Sequence, residues 1–190
     1  MLSRLKYLWI WLTRIRHILG FGVQSPADYS FICDVINQHH KYYQYDKLGR
    51  DDDWQKRKLG LLYFRIANWR QPVVIESDDY IDYLREGCRS ATFGRSMEMV
   101  VVSLSKVADE DSLWEKYDRM ADNGVLIVEG IYNSKESKAI WKNLLTNTRS
   151  RVTFDLYYCG IIFFDMSSQK IMLIDIKLVD KRKMIIFAVK

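Results

Sequence analysis

Residues 73–87 read VVIESDDYIDYLREG, and the fold turns on this stretch. The mostly apolar run Val73–Glu76 predicts a strand buried on both faces, since a strand covered on one face alone would alternate apolar and polar. A helix is predicted a few positions later, near Asp79–Cys88. Strand, terminal acid, turn and helix in that order are the layout of a nucleotide-binding βα unit. The turn itself, Ser77-Asp78-Asp79-Tyr80, contains no glycine.

Upstream, the sequence predicts helices. Leu59, Leu62, Tyr63 and Ile66 stack on one face of a helix near Lys56–Trp69, which Gln71-Pro72 ends. Ser25-Pro26 supplies an N-cap and a first-turn proline for an earlier helix through ADYSFICDVINQHH. Between them, KYYQYDKLGRDDDW has no steady period and is expected to be an exposed loop. Residues 2–20, LSRLKYLWIWLTRIRHILG, predict an amphipathic helix with Leu5, Leu8, Trp9, Leu12 and Leu19 near one face. Its apolar side is expected to pack on the domain or on a second subunit, with contact to a lipid surface or a free tail as alternatives.

Downstream, the elements alternate. MVVVSL (99–104) and VLIVE (125–129) are buried strands, and Leu113–Ala121 is a helix. Lys135–Leu145 is another, capped by Ser134, with Ala139, Ile140 and Leu144 facing inward. RVTFDLYYCGIIFF (151–164) and KIMLIDIKL (170–178) are expected to pair across a turn at Met166–Gln169. MIIFAV (184–189) is a further strand segment, after a charged turn at Lys181-Arg182-Lys183. The pattern is an α/β sandwich with an antiparallel edge. Residues 1–70 form a helical extension packed on an α/β domain at 71–190.

The formal charge of +5 is uneven: residues 1–20 hold four cations and no acid, and the two chain ends together carry +8, leaving −3 in the middle. The body is therefore no nucleic-acid platform. Cys33, Cys88 and Cys159 are scattered, which argues for reduced thiols and against zinc or a disulfide framework. YLWIWL is too short and too charge-flanked to span a membrane, and no cleavage site follows it, so a cytoplasmic location is expected. His17 stands alone, and the adjacent His39 and His40 do not share a helix face, so neither makes a metal motif.

Five segments together resemble a family: GFGVQSPADYSFICDVI, YYQYDKL, KLGLLYFRIANWRQPVVIE, GVLIVEGIYNSKESKAIWKNL and FDLYYCGIIFF. They look like the Rossmann-like, S-adenosylmethionine-dependent methyltransferases, in a bacterial subfamily with an N-terminal helical extension. The resemblance implies a cofactor site at Glu76, Ser77, Asp78, Tyr80 and Ser103, with Glu129 as the candidate general base. It also implies a seven-stranded sheet of order 3-2-1-4-5-7-6 in the family's own strand numbering.

Three departures set the functional expectation. The turn after Glu76 is doubly acidic where the family is glycine-rich, so its carboxylates would stand near the cofactor's own, and Asp78 and Asp79 are expected to serve as helix caps instead. Only 22 residues separate Glu76 from Met99, and no acid stands where the family holds the ribose. The second and third family strands are therefore expected to be missing, leaving about five strands in the order 1-4-5-7-6 with the first exposed at an edge. Finally, the strand ends Ser103-Leu104-Ser105-Lys106 and Glu129-Gly130 offer one carboxylate, too few for a hard cation. The expectation is a degenerate, non-catalytic methyltransferase-like protein without a cofactor or metal. It would act as a binding or assembly module, as a homo-oligomer or with a protein partner, through its exposed sheet edge or N-terminal helix. Weak membrane-surface contact is a further expectation, and nucleic-acid binding is not. The alternative is an active enzyme that uses S-adenosylmethionine to methylate a small hydroxyl or amine.

Overall fold

The computed structural model describes residues 26–38, 42–107, 109–164 and 172–175. The predicted N-terminal helix, His17, His39, His40, the turn at Lys181–Lys183 and the strand segment at 184–189 lie outside these residues. Helix α1 (Pro26–Ser30) runs on into a π-helical turn, Phe31–Ile36. Helix α2 spans Trp54–Arg70. The Asp53 carboxylate caps it by accepting the Gln55 and Lys56 N–H groups at 2.8 and 2.9 Å. Gln71 ends it in the left-handed region with φ 50°.

The alternating layers follow as β1 (Val74–Ser77), α3 (Ile81–Gly87), β2 (Thr92–Phe93), β3 (Met99–Ser103) and α4 (Glu110–Asp118). After these come β4 (Val125–Glu129), α5 (Lys135–Thr146), β5 (Val152–Asp155), β6 (Cys159–Phe163) and β7 (Met172–Asp175). The seven strands form one sheet in the order β2-β1-β3-β4-β6-β5-β7. Every neighbouring pair is parallel except the two that involve β6.

Alternation within each strand sends side chains to opposite faces, and each face has its own helices. Ile75, Met99, Val101, Ile127, Phe154 and Ile161 pack with α1, α2 and α3, through Phe31, Leu62, Ile66 and Leu84. Val100, Val102, Leu126, Val128 and Ile162 pack with α4 and α5, through Leu113, Tyr117, Trp141 and Leu144. The result is a three-layer α/β sandwich with a mostly parallel sheet.

Several details differ from the sequence expectation. The first strand is not at an edge: β2 pairs with it over Val74↔Thr92 and Ile75↔Phe93. Two residues of ladder leave almost no periodicity to read, which is why β2 was not foreseen. Segment 151–164 is a hairpin turning at Leu156–Tyr158, so the antiparallel strand is β6, inside the sheet between β4 and β5. The described part of 170–178 instead adds parallel to β5 at Val152↔Met172. Ala139 is exposed, and Trp141 takes the inward position on α5. The expected loop at 42–53 is partly packed, because Tyr42 and Tyr45 meet the Phe64 ring edge-on at 5.1 and 5.4 Å. No described helix is long and apolar enough to cross a membrane.

Trp141 sets one tight constraint. It is 1% exposed, and a Cβ on Gly160 would lie 2.2 Å from its indole ring. Gly160→Ala is expected to destabilise the fold by about 1–3 kcal/mol through overpacking. Urea unfolding followed by circular dichroism measures this, and an unchanged midpoint would show that the indole relocates freely.

Candidate ligand crevice at the strand ends

The chain leaves β1 through α3 toward β2, and leaves β3 through α4 toward β4 on the opposite side. Such a reversal opens a crevice at the carboxyl ends of the two strands, the usual ligand position in open α/β sheets. Two adjoining cavities of about 240 and 430 Å³ lie there. The inner one is lined by Ser77, Asp78, Asp79, Ser103, Lys106 and Glu129 among others. The outer one includes Glu76, Arg95 and Arg119, and the two share Ser77, Asp78, Ser112 and Lys116. The structure thus brings Glu76, Ser77, Asp78, Ser103 and Glu129 to one crevice; Tyr80 stands behind it.

Glu76 is held from three sides. Its Oε1 accepts from Lys116 Nζ, and its Oε2 accepts from Arg119 Nη2 and, at 2.9 Å, from the Ser96 N–H. Burial pushes this carboxyl up, but the Lys116 bond, the Ser96 N–H and the two cationic charges outweigh it and hold it below the usual range. Lys116 in the last turn of α4 and Arg119, the residue that caps its carboxyl end, lie three apart and so share a face toward the end of β1. Ser96 is 2% exposed and donates through its hydroxyl to the Val74 carbonyl at 2.6 Å, which locks the β2–β3 connection onto β1.

The turn after Glu76 closes on itself. The Asp79 N–H donates to Ser77 Oγ at 3.3 Å, and the Asp79 carboxylate takes the Lys106 ammonium. The aspartates do not cap α3: its N-cap is Tyr80, with no side-chain cap bond. Tyr80 adopts φ 60°, a left-handed conformation that glycine takes without strain and a tyrosine adopts at a cost of about 1–2 kcal/mol. Its ring packs edge-on against Tyr63 at 4.9 Å, which offsets that cost.

Behind the turn, Tyr63 of α2 is fully buried and donates to Glu129 Oε1 at 2.7 Å. Burial raises the affinity of Glu129 for its proton, and the Asp79 charge adds to this; the phenols of Tyr63 and Tyr80 and the charge of Lys106 oppose it without reversing it. Burial and the nearby Glu129 likewise push the Tyr63 and Cys159 groups up.

An adenosyl cofactor fits these residues poorly. Glu76 spends both oxygens on internal donors, Tyr80 puts a large ring at a backbone position of glycine-type conformation, and the turn after β2, Gly94-Arg95, offers no carboxylate. Arg95 is itself paired with Glu115 at 2.5 Å. Among the described residues, no cluster of His, Cys, Asp and Glu is arranged to hold a metal ion. Sequence reasoning missed Lys116, Arg119 and Ser96, whose only linear signal is the i,i+3 cation pair on a helix facing a strand end. It placed Tyr63 in the core but not its hydroxyl, which required a buried partner. No protein-family model matches this chain, and no curated protein or solved structure matches it.

The two carboxylates carry opposite pH signatures. For Glu129, raised above its ordinary 4.5, stability is fully present below that value and declines as pH rises through the folded value. For Glu76, lowered from the same 4.5, stability is present above that value and is lost as pH falls through the folded one. Glu129→Gln is therefore expected to remove a loss of stability above pH 4.5, and Glu76→Gln to remove a gain there. Glu76→Gln should also cost about 1.5–3 kcal/mol at neutral pH, since it weakens charge-assisted bonds. Urea midpoints on both sides of that pH are the measurement; parallel profiles for wild type and both variants would contradict the assignment.

Proposed function

We propose that this chain is a non-catalytic, methyltransferase-like protein, a reduced Rossmann-like scaffold kept as a binding or assembly module. The observation that carries this reading is the closure of Glu76 by Lys116, Arg119 and the Ser96 N–H. An acid at the end of the first strand is useful to a cofactor only while its oxygens are available. Releasing them here would leave Lys116 and Arg119 without their partner in a half-buried place, a cost of several kcal/mol. The self-paired turn and the side chain of Tyr80 support the same reading, as does Arg95 at the position expected of a ribose-binding acid. The five strands β1, β3, β4, β6 and β5 support descent from the methyltransferase sheet, because they run in the sequence in which that family places its strands 1-4-5-7-6. A cytoplasmic, bacterial, oligomeric protein whose partner meets the sheet edge belongs to this proposal.

One observation favours the second reading, methyl transfer to a small hydroxyl or amine. Glu129 stands at the wall of the inner cavity beside Ser103 and Lys106, with its proton affinity raised toward that of a working base. Positioning alone can carry much of such a displacement, yet it requires the sulfonium donor to be seated first.

Calorimetric titration of the full chain separates the two. With S-adenosylmethionine or S-adenosylhomocysteine at sub-millimolar concentration, no saturable heat is expected. A one-to-one isotherm that weakens on Asp78→Lys would overturn the non-catalytic reading.

A further inference from the structure

Register brings polar residues from three strand ends to the inner cavity. Ser77 lies beside Val101 across β1 and β3, and Ser103 lies beside Glu129 across β3 and β4. Residues paired in register point to the same face of a sheet. Ser103 and Glu129 therefore stand side by side, on the face where Met99, Val101 and Ile127 pack with Tyr63 of α2. The turn after β1 brings Asp78 and Asp79 to the same cavity, and Val101, Val102 and Val107 give it an apolar wall.

The charges that line this cavity do not cancel. Lys106 is taken by Asp79 at 2.5 Å, and Lys116 is taken by Glu76, which lines the outer cavity alone. The carboxylates of Asp78 and Glu129 are left over. Asp78 is exposed, lines both cavities and meets no hydrogen-bond or ion-pair partner among the described residues. The phenols of Tyr63 and Tyr80 bond to Glu129 but bring no charge to oppose its own. Among the described residues the Ser103 hydroxyl also has no partner.

We propose that the inner cavity binds a primary ammonium group carried on a short apolar body, with Asp78, Glu129 and the Ser103 hydroxyl as its acceptors. An alkylammonium has three donors, no acceptor and one positive charge. The cavity answers with two carboxylates and a hydroxyl oxygen beside an apolar wall. The chain makes the same kind of contact itself one position away, where the Lys106 ammonium sits on Asp79. A metal ion matches less well, because it needs several oxygen ligands at once and no group of three or more metal-binding side chains is arranged for one among the described residues. An anionic ligand would meet Asp78 and Glu129 with like charge. This inference rests on reading the crevice as a place of binding without methyl transfer, and it names the chemistry bound there.

The test is a titration of the isotopically labelled full chain with butylammonium chloride, followed by amide nuclear magnetic resonance at constant ionic strength. Saturable shifts at Asp78, Ser103 and Glu129 are expected, with none from butanol or sodium butyrate. Asp78→Asn and Glu129→Gln keep the shape of the side chain and remove its charge, and each is expected to weaken the affinity at least about fivefold. Glu115→Gln, in the wall of the outer cavity alone, is expected to leave the affinity unchanged. Shifts that do not saturate, equal binding of butanol, the same saturable shifts with calcium chloride, or an unchanged affinity in either variant would overturn the proposal. Such a result would leave the non-catalytic reading in place, since binding of the adenosyl ligands alone decides that reading.

Discussion

The clasp of Lys116 and Arg119 on Glu76 is the constraint on which the crevice depends. It ties the end of β1 to α4 across the mouth of the crevice, and the Ser96 N–H adds the β2–β3 connection to the same carboxylate. In an open α/β sheet this is the place where a ligand is normally received. Here the protein supplies the ligand's counterpart from its own side chains. A carboxylate and two cations at such a half-buried position are stable together and costly apart, so the closure maintains itself.

The same principle orders the rest of the crevice. Asp79 is answered by Lys106, Arg95 by Glu115, and Glu129 by Tyr63. The Tyr63 bond satisfies a carboxylate that would otherwise demand water or a substrate, and the other two pairs hold exposed charges at the rim. Tyr80 shows the substitution most directly. Its backbone keeps the left-handed conformation suited to glycine, while its ring packs on Tyr63 and fills the space a glycine would leave open.

Much of this was legible in the sequence, for identifiable reasons. The long apolar runs at 99–103 and 125–129, and the punctuation by Gln71-Pro72 and Ser134, fixed the strands and helices of the parallel half. The hairpin at 151–164 was obscured because Leu156, Tyr157 and Tyr158 are as apolar and aromatic as the strands they join; Tyr157 turns the chain with φ 72° without glycine's help. β2 was obscured because its two residues carry no pattern. At the crevice, every expected residue could be named from the ends of strands. The partners that decide its chemistry come from helix faces and from a core tyrosine. Side chains that meet across tens of positions, such as Glu76 with Arg119, leave no linear trace in one sequence.

The most direct measurement of the central claim is a crystal structure grown with a large excess of S-adenosylhomocysteine. The account predicts that the crevice holds no adenosyl density and that Glu76 remains bonded to Lys116, Arg119 and the Ser96 N–H. An ordered adenosyl group between β1 and β3, with Glu76 released from α4, would contradict it.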